Sequence, residues 1–164
     1  NTVGGAIYYD GELCTGNLSK SGEIGHMIIH PGGRRCYCGK RGCLDAYCSA
    51  LSLMSDPDGH LEDFFEDLER GEKSAVAKWD AYLDDLAIAV TNIRMIFDCD
   101  IILGGYVGGY VEKYMNQFAK KTKKYNNFDI DTSYITTGSY KRLSSAIGAA
   151  QIAIDDFIDN MLPG

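Results

Sequence analysis

Apolar residues recur at three- and four-residue steps through residues 74–97, which is the period of one face of an α-helix. This run predicts a long central helix that buries one face in the core. The same period predicts shorter helices over residues 44–54 and 61–69, and Gly71 follows the second, as is common at a helix C-terminus. Residues 144–161, rich in alanine and isoleucine, predict a final helix.

Short apolar runs predict strands between these helices. Near the start, Asp10-Gly11 separates two apolar segments, and this dipeptide suits a type I′ turn, so we expect an antiparallel hairpin. Apolar runs at residues 27–29, 101–103 and 134–136 predict three more strands. Because strands and helices alternate in the second half, the sequence predicts the α/β class.

Composition and charge narrow the possible roles. The chain has 164 residues, 45% of them hydrophobic, which fits one globular domain over residues 1–164. A net charge of −7 excludes direct nucleic-acid binding by this segment, because phosphate contacts need a cationic surface. No run approaches the ~20 apolar residues of a membrane span, so we expect no membrane contact and a cytoplasmic location. The chain begins at Asn1 rather than Met, from which we expect an excised fragment of a longer protein.

A cluster of potential metal ligands lies in a segment without helical or strand period. Within eighteen positions stand His26, Cys36, Cys38 and Cys43. Structural zinc takes four ligands of this kind in a closed tetrahedral site. The alternatives are disulfides or plain buried thiols, but a Cys-X-Cys pair is poorly placed to form a disulfide, and a cytoplasmic protein keeps its thiols reduced. We therefore predict structural zinc, whose binding energy would order the segment.

The other cysteines and histidines fall outside this spacing. Cys14, Cys48 and Cys99 lie in apolar surroundings, which predicts buried thiols. His30 and His60 have no recognisable partner, so we predict that both lie on the surface.

Two motifs around the cluster resemble the signature of the ROK family (repressors, open reading frames and kinases). Residues 22–26 have the sequence Gly-Glu-Ile-Gly-His, and residues 36–45 have the sequence Cys-Tyr-Cys-Gly-Lys-Arg-Gly-Cys-Leu-Asp. In that family, Glu-X-Gly-His leads into Cys-X-Cys-Gly-X-X-Gly-Cys, an apolar residue and an acid. The resemblance implies the second lobe of an actin-like ATPase (ribonuclease H-like) fold with a zinc-binding loop insertion. Its implied parts are the zinc loop 26–43, a helical region 44–97, a nucleotide-motif remnant 101–106 and the closing helix 144–161.

The resemblance also implies ligand roles. It gives the zinc to the same histidine and three cysteines, and it places Glu23, His26 and Asp45 at the hydroxyls of a bound sugar. A carboxylate accepts hydrogen bonds from hydroxyls, and a metal-bound imidazole keeps one ring nitrogen free to donate. Asp45 stands where the family more often has glutamate, so its shorter side chain puts that contact in doubt.

Two glycine pairs resemble nucleotide-binding motifs of the family. Gly4-Gly5 lies in a segment similar to the phosphate loop of family kinases, but Thr2 and Ala6 replace glycines there, and side chains keep phosphate from the backbone amides. Gly104-Gly105 resembles the adenosine motif, but the bulky Tyr106 follows it. These departures favour a protein that kept the sugar pocket and lost ATP.

We therefore expect a sugar-sensing effector domain of a ROK transcriptional regulator similar to the xylose repressors. It would bind a sugar or sugar phosphate and reach DNA only through a missing N-terminal domain. One alternative is the C-terminal lobe of a ROK sugar kinase, glucokinase- or fructokinase-like, which would need ATP and Mg²⁺. Another is a noncatalytic interaction module with structural zinc. The chain has no predicted catalytic residue, since the general base of family kinases lies in the first lobe, and the resemblance implies a homodimer.

Overall fold

The computed structural model describes residues 2–56 and 59–161. The chain opens with a hairpin in which β1 (Tyr8–Tyr9) and β2 (Glu12–Leu13) pair antiparallel. Asp10 and Gly11 connect them with φ angles of 52° and 83°. Positive φ at both central residues is what a type I′ turn requires, so the predicted hairpin is confirmed.

The helical region follows the Cys/His segment. Its elements are α1 (Asp45–Cys48), α2 (Ala50–Leu53), α3 (Leu61–Glu69) and α4 (Lys73–Phe97). The two longer helices confirm the periodic prediction, but the single helix predicted over residues 44–54 is wrong. It breaks at Ser49, which is extended at φ −74° and ψ 159°. The Tyr82 hydroxyl donates to the Cys48 carbonyl over 3.0 Å at this break, so a side chain of α4 replaces a helical amide as the donor.

A parallel strand pair forms the second half of the fold. β3 (Ile101–Leu103) lies beside β4 (Ile135–Thr137), with Ile101 opposite Ile135 and Leu103 opposite Thr137. The crossover between them runs through α5 (Gly105–Val111) and α6 (Met115–Thr122). Parallel strands need such a connection, because a short turn cannot return the chain to the same end of the sheet. The α/β prediction is confirmed, with β4 one residue later than expected.

One buried aromatic cluster fills the space among α3, α4 and α6, which together are called the helical core below. Trp79 stacks on Tyr82 with ring centroids 5.1 Å apart and meets Phe65 edge-on at 5.3 Å. Leu83 and Phe118 are completely buried in the same cluster. Because each such side chain contributes roughly 1.5–3 kcal/mol when fully buried, hydrophobic packing accounts for the order of this region.

The last described element is α7 (Ser144–Met161), which confirms the predicted final helix. Many of its apolar side chains are exposed, among them Ile152 and Phe157. No helix in the described part of the chain is both long and apolar enough to cross a membrane.

Candidate functional site

The Cys/His loop, residues 26–43, is shaped by its own backbone hydrogen bonds. Ile28 and Cys43 form one antiparallel bridge, and Arg35 and Arg41 form another. Between them the Gly39 amide donates to the Cys36 carbonyl over 3.0 Å, which closes a tight turn. The strand predicted at residues 27–29 is thus reduced to a single bridge, since the segment pairs only with the other arm of its own loop.

Glycine is required where the two arms meet. Gly42 has a φ of 87°, and a Cβ atom there would lie 1.9 Å from the carbonyl oxygen of His30. Any side chain at this position would therefore meet backbone and adopt a disfavoured conformation. The close approach lets the Gly42 carbonyl accept hydrogen bonds from the amides of Ile29 and His30.

The loop brings together the histidine and three cysteines of the predicted zinc site. Their ligand atoms all lie within 4.8 Å of one another. The Cys38 and Cys43 sulfurs are 3.7 Å apart, and the Cys36 sulfur is 3.9 Å from Nδ1 of His26. Tetrahedral zinc with ordinary Zn–S and Zn–N bonds separates its ligand atoms by about 3.6–3.8 Å. The donor set and its spacing fit zinc.

The thiols of this cluster differ in burial and in pKa. Burial raises the pKa of the Cys43 thiol to about 11, so a metal ion that binds there displaces a proton. Cys38 is exposed, and a hydrogen bond from the Lys40 backbone lowers the pKa of its thiol. The exposed Cys38 thiol is therefore more acidic than the buried Cys43 thiol.

Two of the predicted sugar-binding residues lie on the open side of the cluster. His26 turns Nδ1 toward Cys36 and Nε2 outward, where Nε2 lies 3.1 Å from the Tyr37 hydroxyl and 4.0 Å from a Glu23 carboxylate oxygen. The Glu23 side chain is 65% exposed, so its carboxylate lies at the surface and is open to solvent. This face offers one ring nitrogen and one carboxylate to a polar ligand.

Asp45, the third predicted sugar-binding residue, has a different environment. It begins α1 and is buried, and its carboxylate accepts a hydrogen bond of 2.6 Å from the Val3 amide. A longer glutamate would place its carboxylate farther from α1. The observed bond links the site to the opening segment, a contact that the sequence pattern did not reveal.

The two predicted glycine pairs line one cavity of about 860 Å³. Gly4-Gly5 comes from the opening segment, and Gly104-Gly105 comes from the end of β3 and the start of α5. Tyr106 lines the same cavity, and its hydroxyl bonds to Glu62 of α3. The structure therefore joins two motifs that are about one hundred residues apart in the sequence.

The tyrosines after the second glycine pair pack as a helical stripe. Tyr110 stacks on Phe65 with ring centroids 3.6 Å apart, and Tyr114 meets Trp79 at 5.2 Å. The aromatic spacing here therefore reflects packing in the core.

His30 lies at the surface as predicted, with 40% of its side chain exposed, but it also has a partner. Its Nε2 lies 2.5 Å from an Asp85 oxygen of α4, and its ring packs on Tyr47 at 4.7 Å. The predicted burial is wrong for Cys14, and Cys99 is only partly buried. Cys14 is exposed, because the hairpin that precedes it extends away from the core. No sequence pattern marks the His30–Asp85 pair, whose members are 55 positions apart.

Comparison with known proteins identifies the family of this chain. Residues 2–156 match the ROK family. The chain belongs to the ROK family. Among its relatives, an N-acetylmannosamine kinase of Citrobacter koseri is 27% identical over 94% of this chain and 54% of the relative. A glucokinase of Thermotoga maritima is 27% identical over 88% of this chain and 50% of the relative. This ROK chain thus spans about half the length of the curated relatives it matches.

Solved structures show the same fold. A ROK hexokinase from Thermus thermophilus superposes with a TM-score of 0.76 at 23% identity, over 94% of this chain and 55% of that one. A ROK glucokinase from Streptomyces griseus, solved with glucose and AMPPNP, superposes with a TM-score of 0.72 at 18% identity, over 92% of this chain and 57% of that one. A ROK transcriptional regulator, a homologue of the Escherichia coli MLC protein, superposes with a TM-score of 0.64 at 21% identity, over 80% of this chain and 38% of that one.

These similarities correct the functional expectation. The prediction of a sugar-sensing regulator, closer to the repressors than to the kinases, is wrong, because the relatives are mainly sugar kinases. The regulator prediction depends on substitutions beside the glycine pairs, and the structure places both pairs on a single cavity despite those substitutions.

Proposed function

We propose that this chain is the sugar- and nucleotide-binding C-terminal half of an ATP-dependent ROK sugar kinase. The observation that carries the proposal is the shared cavity of Gly4-Gly5 and Gly104-Gly105. The Val3–Asp45 hydrogen bond connects that cavity to the start of α1, two residues after the Cys/His loop. Both substrates of a kinase would then meet along one continuous surface, as phosphoryl transfer demands.

The sugar would bind at the open face of the Cys/His loop. Glu23 accepts hydrogen bonds from sugar hydroxyls, and Nε2–H of His26 donates one. The carboxylate of the buried Asp45 accepts a hydrogen bond from the Val3 amide and so holds the opening segment in place. Its predicted contact with the sugar is part of the same proposal. When bound, zinc supplies structural order to this loop through the closed set of His26 and three cysteines.

The glycine pairs would bind the phosphates and adenosine of ATP. At Gly104-Gly105 the chain turns from β3 into α5 with no side chain in the way, so backbone amides can approach a ligand closely. Positioning and charge stabilisation provide most of the catalysis in phosphoryl transfer, and Mg²⁺ accompanies the nucleotide. The general base of this proposal lies outside residues 1–164.

Several narrower assignments belong to the same proposal. The divisions at residues 26–43, 44–97, 101–106 and 144–161 would be the zinc loop, the helical region, the adenosine motif and the closing helix. A homodimer and a cytoplasmic location remain predictions. The substrates of the two relatives are the first sugars to test.

A coupled assay on the complete polypeptide tests the proposal. ATP is supplied with glucose or with N-acetylmannosamine, and ADP release is followed. We expect sugar-dependent ADP release, and we expect Glu23→Gln to lower kcat/KM about 10- to 100-fold, since hydrogen bonds to a charged group are lost. Glu72→Gln, an exposed acid at the start of α4, is the matched control.

Two results would contradict the kinase proposal. One is the absence of sugar-dependent ADP release across a wider panel of hexoses. The other is equal loss of activity in the Glu23 and Glu72 variants, since that would reflect general damage rather than loss of a sugar contact.

A further inference from the structure

Tyr37 occupies a position that the ROK signature leaves open. It is the middle residue of Cys-X-Cys, and its hydroxyl lies 3.1 Å from Nε2 of His26. The two rings meet edge-on with centroids 5.3 Å apart. Tyr37 therefore contacts the same nitrogen that the proposed function gives to the sugar.

The Tyr37 hydroxyl can take the place of a sugar hydroxyl at Nε2 of His26. A phenol and a sugar hydroxyl each carry one O–H donor and oxygen lone pairs that accept, so either can satisfy the same ring nitrogen.

The imidazole can make only one such bond at a time. With Nδ1 bound to the proposed zinc, the remaining ring nitrogen would carry the ring's single N–H, which donates to one good acceptor. Glu23, at 4.0 Å from Nε2, is beyond direct hydrogen-bond distance. A sugar hydroxyl that binds Nε2 must therefore displace the Tyr37 hydroxyl.

Tyr37 is placed to move without disturbing the loop. Its side chain is 69% exposed, so little packing holds it over His26. Its neighbours Cys36 and Cys38 are both in the ligand cluster, which fixes the backbone on either side. Rotation about side-chain bonds alone would swing the phenol away from Nε2.

We infer that Tyr37 is a specificity-determining residue, which competes with one sugar hydroxyl for Nε2 of His26 and swings aside when that hydroxyl binds. The inference rests on the proposed function, because it needs a sugar at this face. A sugar without the matching hydroxyl leaves the Tyr37 bond in place. The phenol thereby lowers the affinity only for sugars that carry this hydroxyl, and so sets how strongly the site distinguishes them from sugars that lack it.

Equilibrium binding to the complete, zinc-loaded polypeptide tests this competition. Calorimetry compares the unsubstituted protein with Tyr37→Phe, using glucose, N-acetylmannosamine and a series of monodeoxyglucoses. We expect Tyr37→Phe to bind the accepted sugar about two- to tenfold more tightly, because it loses one competing hydrogen bond. For the one deoxy sugar that lacks the competing hydroxyl, we expect the Tyr37→Phe variant and the unsubstituted protein to bind with equal affinity.

A spectroscopic readout separates competition from a structural change. In ¹⁵N-histidine spectra, Tyr37→Phe and saturation with sugar should each shift the His26 Nε2 resonance, while zinc content stays the same. Tyr9→Phe, an exposed tyrosine of the hairpin, is the matched control and should change neither affinity nor spectrum.

The outcomes distinguish this inference from the proposed function. If no sugar binds to either zinc-loaded protein, the proposed function fails and the inference fails with it. If sugar binding depends on Glu23 but Tyr37→Phe leaves it unchanged or weakens it, only the inference fails. An equal gain for every deoxy sugar likewise overturns it, because no single hydroxyl would then be in competition.

Discussion

The Cys/His loop and the helical core reach their order by different physical means. In the helical core, Trp79, Leu83 and Phe118 are almost completely removed from solvent and pack against one another. In the Cys/His loop, by contrast, the exposed residues outnumber the buried ones, and the order comes from backbone bridges and a ligand cluster. The helical core is ordered by buried apolar area, and the Cys/His loop by glycines, backbone bridges and a cluster of four potential metal ligands.

This contrast explains where the candidate site lies. A densely packed core has little room to present polar groups to a ligand. A loop fixed by metal ligands can remain open to solvent while its side chains keep defined positions. Glu23 and the outer nitrogen of His26 are on such a surface. The two regions should therefore respond differently to substitution.

The largest expected effect is the loss of zinc from the loop. Cys43→Ser removes a buried ligand, and structural zinc in zinc-finger peptides binds with about 10–16 kcal/mol. We expect elemental analysis of the purified protein to show loss of zinc, and calorimetry to show loss of sugar binding. Far-UV circular dichroism should still report the helices of the core.

Cys14→Ser is the control, because that thiol is exposed and outside the cluster. It should retain both zinc and sugar binding. If Cys43→Ser instead unfolded the helices as well, the two regions would not be independent, and the contrast between them would fail.

The next largest effect is expected in the helical core. Trp79→Ala deletes the ring that meets Phe65, Tyr82 and Tyr114. Truncation of a buried aromatic side chain costs about 3–5 kcal/mol of unfolding free energy. Urea denaturation should show this loss, whereas zinc content at low urea should stay unchanged.

Val76→Ala provides the comparison on the same helix, since Val76 is 44% exposed. The Val76→Ala substitution should change the unfolding free energy by no more than about 0.5 kcal/mol. Release of zinc by the folded Trp79 variant would show that the core also holds the ligands in place.

The sequence predicts these two regions with unequal success. Residues 61–69 and 74–97 have a clear helical period, and the structure places α3 and α4 there to within one residue. Hydrophobic period is a local property, so it can be recognised without knowing the fold. The break at Ser49 was missed because it depends on Tyr82, a residue of another helix.

The same distinction applies to the candidate site. The ligand spacing of His26 and the three cysteines is visible in the sequence, and the structure brings the four side chains together. The partners of Asp45 and His30 are 42 and 55 positions away, and no periodic pattern connects them. The substitutions at Thr2, Ala6 and Tyr106 suggest lost nucleotide contacts, but the sequence does not reveal that all three residues line one cavity with both glycine pairs.

A smaller effect is expected at a buried cation of the helical core. Lys121 of α6 is 8% exposed and pairs with Asp80 and Asp84 of α4 at 2.8 and 2.6 Å. Lys121→Met should lower the unfolding free energy by about 1–2 kcal/mol at pH 7, because hydrogen bonds to charged groups are lost while water still reaches the acids. Lys120→Met, an exposed neighbour, should have little effect.

This effect should depend on pH with a defined sign. The hydrogen bond from Lys121 lowers the pKa of Asp80, so the pair stabilises the fold above the unfolded pKa of about 4 and loses that contribution as pH falls further. The difference in unfolding free energy between the unsubstituted protein and the Lys121→Met variant should narrow from pH 6 to pH 3. A difference that widened toward acid would rule out the ion pair as its source.

The smallest effect is expected where the two regions touch. His30 of the Cys/His loop and Asp85 of α4 are paired at 2.5 Å, but the His30 side chain is 40% exposed. Exposed ion pairs contribute about 0.2–1 kcal/mol, so His30→Gln should lower the unfolding free energy by no more than that amount. Zinc content should not change, because the loop's own bridges and ligands keep its shape.

A competition assay with a chelator gives the zinc affinity, and His60→Gln serves as the control. If His30→Gln released zinc as readily as Cys43→Ser, the loop would depend on α4 for its order, and its separation from the helical core would have to be abandoned.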